Sequence, residues 1–154
     1  MKLYFLRHGE ADWPNWTKPD DERPLTKHGK DEMKKVAAFL EKLKVSLDQI
    51  ITSPLPRAKQ TAEIVANRLD LKLREDDKLA PGFHTALLKQ LFKKYPGENI
   101  MIVGHEPSFT DTIGELTGAT LKLSKAGLAL LDVDPADMRG RLLWLWPPKI
   151  VKVC

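Results

Sequence analysis

Cysteine is almost missing from this sequence. The single thiol, Cys154, is the last residue, so an internal disulfide framework is excluded, and a terminal thiol of this kind reads as incidental rather than catalytic. No apolar run approaches the roughly 20 residues needed to cross a bilayer, which argues against a membrane partner. An arginine already stands at position 7, leaving no space ahead of it for a hydrophobic export segment, and the expected location is the cytoplasm. Internal repeats, low-complexity tracts and a linker-like stretch are also lacking, so the 154 residues are expected to form one domain, 1–154. Neither charge sign is scarce: 25 Lys and Arg against 21 Asp and Glu give a net charge of +4, a bias toward anionic ligands that names none of them. Zinc-finger spacing and a basic-aromatic array are absent, and Lys34, Lys35, Lys42 and Lys44 are interleaved with acids on a helical pattern, so nucleic acid is not an expected partner.

What the sequence does contain is alternation between short apolar runs and amphipathic stretches. Lys2 to Leu6 is apolar at nearly every position and Ile100 to Val103 at all of them, as in parallel strands covered on both faces, and the segment 49–53 gives a third strand. Thr26 can cap a helix in which Met33, Val36, Ala37, Leu40 and Leu43 share one face; Ala58, Ala62, Val65 and Leu69 do the same from about Arg57 to Leu69. A third helix is expected at about His84 to Lys94, and Pro107 can open a fourth through Phe109, Ile113 and Leu116. Residues 129–133 and 142–146 read as a strand pair, with Trp144 and Trp146 assigned to packing by their period of two. The expected fold is therefore α/β, a single-domain three-layer sandwich with a mainly parallel central sheet and a strand-rich C-terminal part. Between Asp12 and Pro24 prolines, acids and two tryptophans break any pattern, giving a rim loop whose Trp13 and Trp16 are expected to cover the neighbouring core.

Two of these strands end in histidine. Arg7-His8-Gly9 closes the first run, with Gly9 expected to ease a turn, and Gly104-His105 closes the 100–103 run. Arg57 falls at the start of a helix just after the second strand, where its guanidinium and the free helix amides can face one anion. Neutral imidazole has a lone pair able to attack phosphorus, and planar guanidinium groups match phosphoryl oxygens bidentately. The constellation implies a phosphate site in which His8 is the nucleophile, Arg7 and Arg57 bind the phosphoryl group, and His105 donates to one of its oxygens. His28 and His84 lack companion ligands at motif spacing and are given surface or capping roles; neither a metal nor a cofactor is expected.

These residues, together with Ser53-Pro54-Leu55-Pro56-Arg57-Ala58-Lys59-Gln60-Thr61-Ala62, resemble the histidine phosphatase superfamily over nearly the whole chain. The resemblance implies a covalent phosphohistidine intermediate on His8, with Arg7, Arg57 and His105 in the pocket. Small size, Arg23-Pro24-Leu25-Thr26 and Leu79-Ala80-Pro81-Gly82 look most like the SixA-like protein phosphohistidine phosphatases, which would bring Arg23 to the pocket edge as a further substrate contact. Phosphoglycerate-mutase-like members carry a glutamate acid where this sequence reads Lys78-Leu79-Ala80-Pro81-Gly82, and the nearby Asp76, Asp77 and Glu106 are read as solvated loop acids. The implied substrate is phosphohistidine on a signalling or phosphotransfer protein, with Lys27 and Lys30 available to attract acidic partners and inorganic phosphate as product. A phosphomonoesterase acting on a small metabolite and a noncatalytic phosphate-binding module are the competing readings, and the oligomeric state is left open.

Overall fold

Leu3 to Leu6, all buried, form the centre of β1 (Lys2–Arg7). Because successive strand residues point to opposite faces, Leu3 and Phe5 enter one hydrophobic layer while Tyr4 and Leu6 enter another. The computed structural model, which describes residues 1–152, builds both layers around one six-stranded sheet. The remaining strands are β2 (Gln49–Thr52), β3 (Leu73–Glu75), β4 (Asn99–Gly104), β5 (Leu128–Asp134) and β6 (Arg139–Trp146), in the spatial order β3-β2-β4-β1-β5-β6. The first four are mutually parallel; β5 runs antiparallel to β1, and β6 to β5. This is the expected three-layer α/β arrangement with a mainly parallel sheet and a strand-rich end.

The path of the chain decides which face each helix covers. From β1 to β2 to β3 it moves toward one sheet edge through α1 (Lys27–Lys42) and α2 (Pro56–Leu69), whose buried residues share a layer with Tyr4, Leu6, Ile50 and Met101. After β3 it reverses direction, and a right-handed crossover run the other way puts α3 (Thr85–Lys94) on the opposite face. There Leu88 and Leu91 pack with Phe109 and Ile113 of α4 (Ser108–Thr117) against Leu3, Phe5 and Ile102. Each such side chain, when fully buried, contributes about 1.5–3 kcal/mol of transfer free energy.

Local chemistry explains the boundaries. Thr26 caps α1 by accepting from the Gly29 amide at 3.0 Å, and the β-carbon of any other residue at 29 would lie 2.2 Å from the Glu10 carbonyl oxygen, so glycine lets α1 sit directly on the chain leaving β1. Pro56 opens α2, where its missing N–H costs nothing, and Asp70 closes it in the left-handed conformation. Trp146 packs edge-on to Phe39 and Trp144 edge-on to Tyr4, the packing role anticipated for both. The three-residue β3 was not anticipated, because Leu73-Arg74-Glu75 offers one apolar side chain on an edge strand and carries almost no periodic signal. Residue 84 proves to be the residue before α3 rather than its first: His84 is exposed and makes no side-chain cap. Among the described residues, no helix is long and apolar enough to cross a membrane. Cys154 lies outside the described residues.

Candidate active site

Three neighbouring parallel strands deliver the chemistry to one sheet edge. At the end of β1 the His8 amide donates to the Gly104 carbonyl and the His8 carbonyl accepts from the Ala126 amide, both at 3.1 Å, so the residue is anchored to two chain segments at once. Its side chain is held as firmly. Nδ1 lies 2.7 Å from the Gly9 carbonyl oxygen, which has no hydrogen to give, so Nδ1 is the protonated nitrogen and Nε2 keeps its lone pair. The Gly9 amide in turn donates to Thr61 Oγ1 at 3.0 Å, and Thr61 donates to the Arg57 carbonyl at 2.8 Å. Gln60 Oε1 accepts from the Leu25 amide at 2.8 Å. The run Arg57-Ala58-Lys59-Gln60-Thr61 thus holds the chain that carries the histidine as well as supplying an arginine.

Arg57 is 5% exposed on the first turn of α2. Its Nη1 donates to the Asp20 carbonyl at 3.1 Å, and its Nη2 stands 3.7 Å from the Asp20 carboxylate. Arg23 donates from Nε to the same carboxylate at 2.8 Å and from Nη1 to the Ala11 carbonyl at 2.6 Å. Arg7 donates from Nη1 to the Leu123 carbonyl at 3.0 Å. His105, just beyond β4, is buried, and its ring centre is 5.3 Å from that of His8. All five side chains line one cavity of about 350 Å³, together with Asp12, Asp20, Asp21, Glu106 and Lys125. Nε of Arg7, Nε of Arg57 and Nδ1 of His105 are buried without a hydrogen-bond partner, as expected of donors kept for a ligand.

Burial and the surrounding arginines decide the protonation state. Burial is the main influence lowering His8, joined by Arg57, Arg7 and Arg23 and opposed by the Gly9 hydrogen bond, and it is pushed down to about 4. His105, lowered by burial and then by His8, Arg57 and Arg7, lies at about 3. Both imidazoles are therefore neutral at pH 7, the state in which one can act as a nucleophile. Among the described residues, no group of three or more His, Cys, Asp or Glu side chains is arranged to hold a metal ion.

Several sequence expectations need correction. Asp76 is not a solvated acid: it is buried, and although burial would raise it, Lys94 at 2.8 Å, the Lys78 amide at 3.0 Å and Tyr95 at 2.9 Å hold it at about 2. Glu106 is half-buried, accepting from the Thr110 amide at 2.9 Å and from the Thr110 hydroxyl, so it caps the first turn of α4. Asp77 is exposed, as anticipated. Trp13 and Trp16 do not cover the core; their indole N–H groups donate to the Pro24 and Pro19 carbonyls at 2.8 and 3.0 Å and tie the rim loop to itself. Gly9 does not use the left-handed backbone; a β-carbon there would press on Met33 at 3.1 Å, so the need is close packing. His28 is an exposed surface residue near Glu10. Sequence reasoning missed Asp20, which sits in a 3-10 turn (Asp20–Glu22) inside an otherwise irregular loop, and gave no role to Ser53, Gln60 or Thr61. Their signal was position alone: they flank Arg57 at the end of a strand and the start of a helix.

The class of protein is set by comparison with known families: residues 3–80, half of the chain, match the model of the histidine phosphatase superfamily (branch 1), and the chain belongs to that superfamily. It is a phosphatase, and it is SixA-like. Phosphohistidine phosphatase SixA of Escherichia coli is 29% identical over 160 residues, covering 99% of this chain and 98% of that protein. A solved structure of the protein histidine phosphatase SixA complexed with tungstate superposes with a TM-score of 0.85 at 26% identity, covering 98% of this chain and 99% of the other. An uncharacterized protein of Picosynechococcus is 38% identical over 138 residues, 83% of this chain and 82% of its own length.

Proposed function

We propose that the chain hydrolyses phosphohistidine on proteins through a covalent intermediate on His8. The observation that carries this reading is that three of the four carboxylates lining the cavity are engaged elsewhere and the fourth stands exposed at its rim. Asp12 is bound by Lys125, which holds it below the usual carboxylate range; Asp20 is shared by Arg23 and Arg57; Glu106 is taken up by Thr110; Asp21 is exposed on the rim. An alkoxide leaving group, as from phosphoserine or a sugar phosphate, needs a proton as the P–O bond breaks. Imidazole, with a reference pKa of about 6.5, needs far less help.

In the first step His8 Nε2 attacks phosphorus in line, the P–Nε2 bond forms, and the P–N bond to the substrate imidazole breaks with its electron pair leaving on that nitrogen, the hydrogen on the ring's other nitrogen letting the imidazole depart neutral. Arg7 and Arg57 neutralise charge on the equatorial oxygens, neutral His105 donates a hydrogen bond to one of them, and Arg23 reaches them from the rim. Water then attacks the phosphoryl group on His8, releasing inorganic phosphate and restoring the neutral imidazole. The related SixA structure was obtained as a complex with tungstate, a tetrahedral oxyanion like phosphate, which is in keeping with this reading. Turnover should be compared across a phosphohistidine protein, a phosphoserine peptide, sugar phosphates and an activated aryl phosphate. kcat/KM is expected to be highest for the phosphohistidine protein; a large preference for one sugar phosphate or nucleotide would replace this substrate, and anion binding with no turnover at all would replace catalysis with binding.

A further inference from the structure

Ser53 follows β2 and is completely buried, and its hydroxyl oxygen makes two contacts: the Leu55 amide donates to it at 3.2 Å, and His105 Nε2 lies 2.7 Å away. A serine hydroxyl has one hydrogen to give and two lone pairs. The amide of Leu55 can only donate, so it takes one lone pair. If His105 Nε2 carried a hydrogen it would take the other, and the Ser53 hydrogen would be left buried with no acceptor, an arrangement that folded proteins avoid. The hydroxyl, the Leu55 amide and Nε2 are all satisfied in the opposite sense: Ser53 donates to an unprotonated Nε2.

The consequence falls on the other side of the ring. A neutral imidazole carries one N–H, so when Nε2 is an acceptor Nδ1 must be the donor. His105 lines the phosphate cavity with Arg7 and Arg57, and its Nδ1, like the Nε atoms of both arginines, is buried without a partner. In the other tautomer a lone pair would occupy Nδ1 and repel an anion. We propose that Ser53 is a positioning residue that fixes His105 as the Nδ1–H tautomer, so that neutral His105 meets a phosphoryl oxygen as a hydrogen-bond donor. His8 has the same polarity by a different device, a carbonyl acceptor at Nδ1 in place of a hydroxyl donor at Nε2. One ring thereby offers the cavity a lone pair and the other a hydrogen. The inference rests on the reading of His105 as a phosphate contact.

The direct test is nitrogen-15 NMR of histidine-labelled protein near pH 7, which reports which ring nitrogen is protonated without requiring turnover. Wild-type His105 should be the Nδ1–H form, and Ser53→Ala should move it toward Nε2–H. Vanadate affinity and kcat should fall roughly tenfold in that variant with KM changed less, because the misplaced hydrogen matters most to the charged transition state. Ser53→Ala also frees the Leu55 amide, a structural effect that leaves tautomer choice alone; Ser53→Thr, which restores a hydroxyl, should restore the Nδ1–H signal. An Nε2–H tautomer in the wild type overturns the proposal, as does a tautomer unchanged in Ser53→Ala. If phosphohistidine proves not to be the substrate, the tautomer result still stands, and the two failures are separate.

Discussion

Acidification should destabilise this protein through its two pocket histidines before its carboxylates contribute. Unfolded histidine titrates near 6.5. In the folded chain burial chiefly, with the nearby arginines, lowers His8 to about 4 and His105 to about 3. Between pH 6.5 and 4 the unfolded chain therefore binds protons that the folded chain refuses, so stability is full above 6.5 and is lost as pH falls. Because pH 5 lies about 1.5 units below the unfolded value and above both folded values, each histidine costs about 2 kcal/mol there and the pair about 4 kcal/mol, a large fraction of a typical stability of about 5–15 kcal/mol. Asp76 acts in a different window: held at about 2, it stabilises the fold above the ordinary carboxylate value and is lost only as pH drops below it. Urea unfolding followed by tryptophan fluorescence at pH 7.5 and 5.0 measures the loss. His105→Gln should remove about half of the difference and a variant carrying both His8→Asn and His105→Gln nearly all of it. If the double variant loses as much stability between these pH values as the wild type, the two imidazoles are not the buried neutral groups that the site chemistry requires.

Two further outcomes separate catalysis from structure. His8→Ala should fold normally and lose nearly all turnover, and rapid quench of the wild type with labelled substrate should trap an acid-labile phosphoryl group on His8; label on another residue would reassign the nucleophile. Asp76→Asn should leave kcat/KM nearly unchanged while lowering stability by about 2.5 kcal/mol at pH 7, as follows from holding a carboxyl near 2 against a reference of 3.8; a selective loss of turnover would make Asp76 part of the chemistry.

Most of the secondary structure was legible because the signals were local. Four-residue apolar runs, a capping threonine at 26 and the stripe from Met33 to Leu40 each specify their own element with little help from the rest of the chain. Elements and side chains whose role depends on a distant partner were not legible. Nothing adjacent to Asp76 in sequence announces Lys94 and Tyr95, which reach it across the β3–α3 connection, and nothing near Asp20 announces that its carbonyl and carboxylate lie against Arg57, 37 residues away. Glu106 is the local exception: its partner, Thr110, is four residues on, a spacing compatible with a cap as well as with a free acid.

The spacing of the site has the same origin. In sequence β4 comes last of the four parallel strands, yet it lies between β1 and β2, and no pattern in the chain says so. Insertion there pairs Arg7 with Gly104 and Thr52 with Val103, so that three strands end level with one another. Neighbouring strands lie about 4.8 Å apart, and side chains leaving adjacent strand ends inherit that distance. The 5.3 Å between the two imidazole centres is close to one strand spacing. Ser53, at the end of β2 on the other side of β4, meets His105 by the same one-strand step. The order β2-β4-β1 therefore sets the Ser53 hydroxyl and the His105 and His8 imidazoles in a row. The geometry of the cavity depends on strand order more than on any single residue, which is why the residue types could be read from the sequence while their arrangement required the fold.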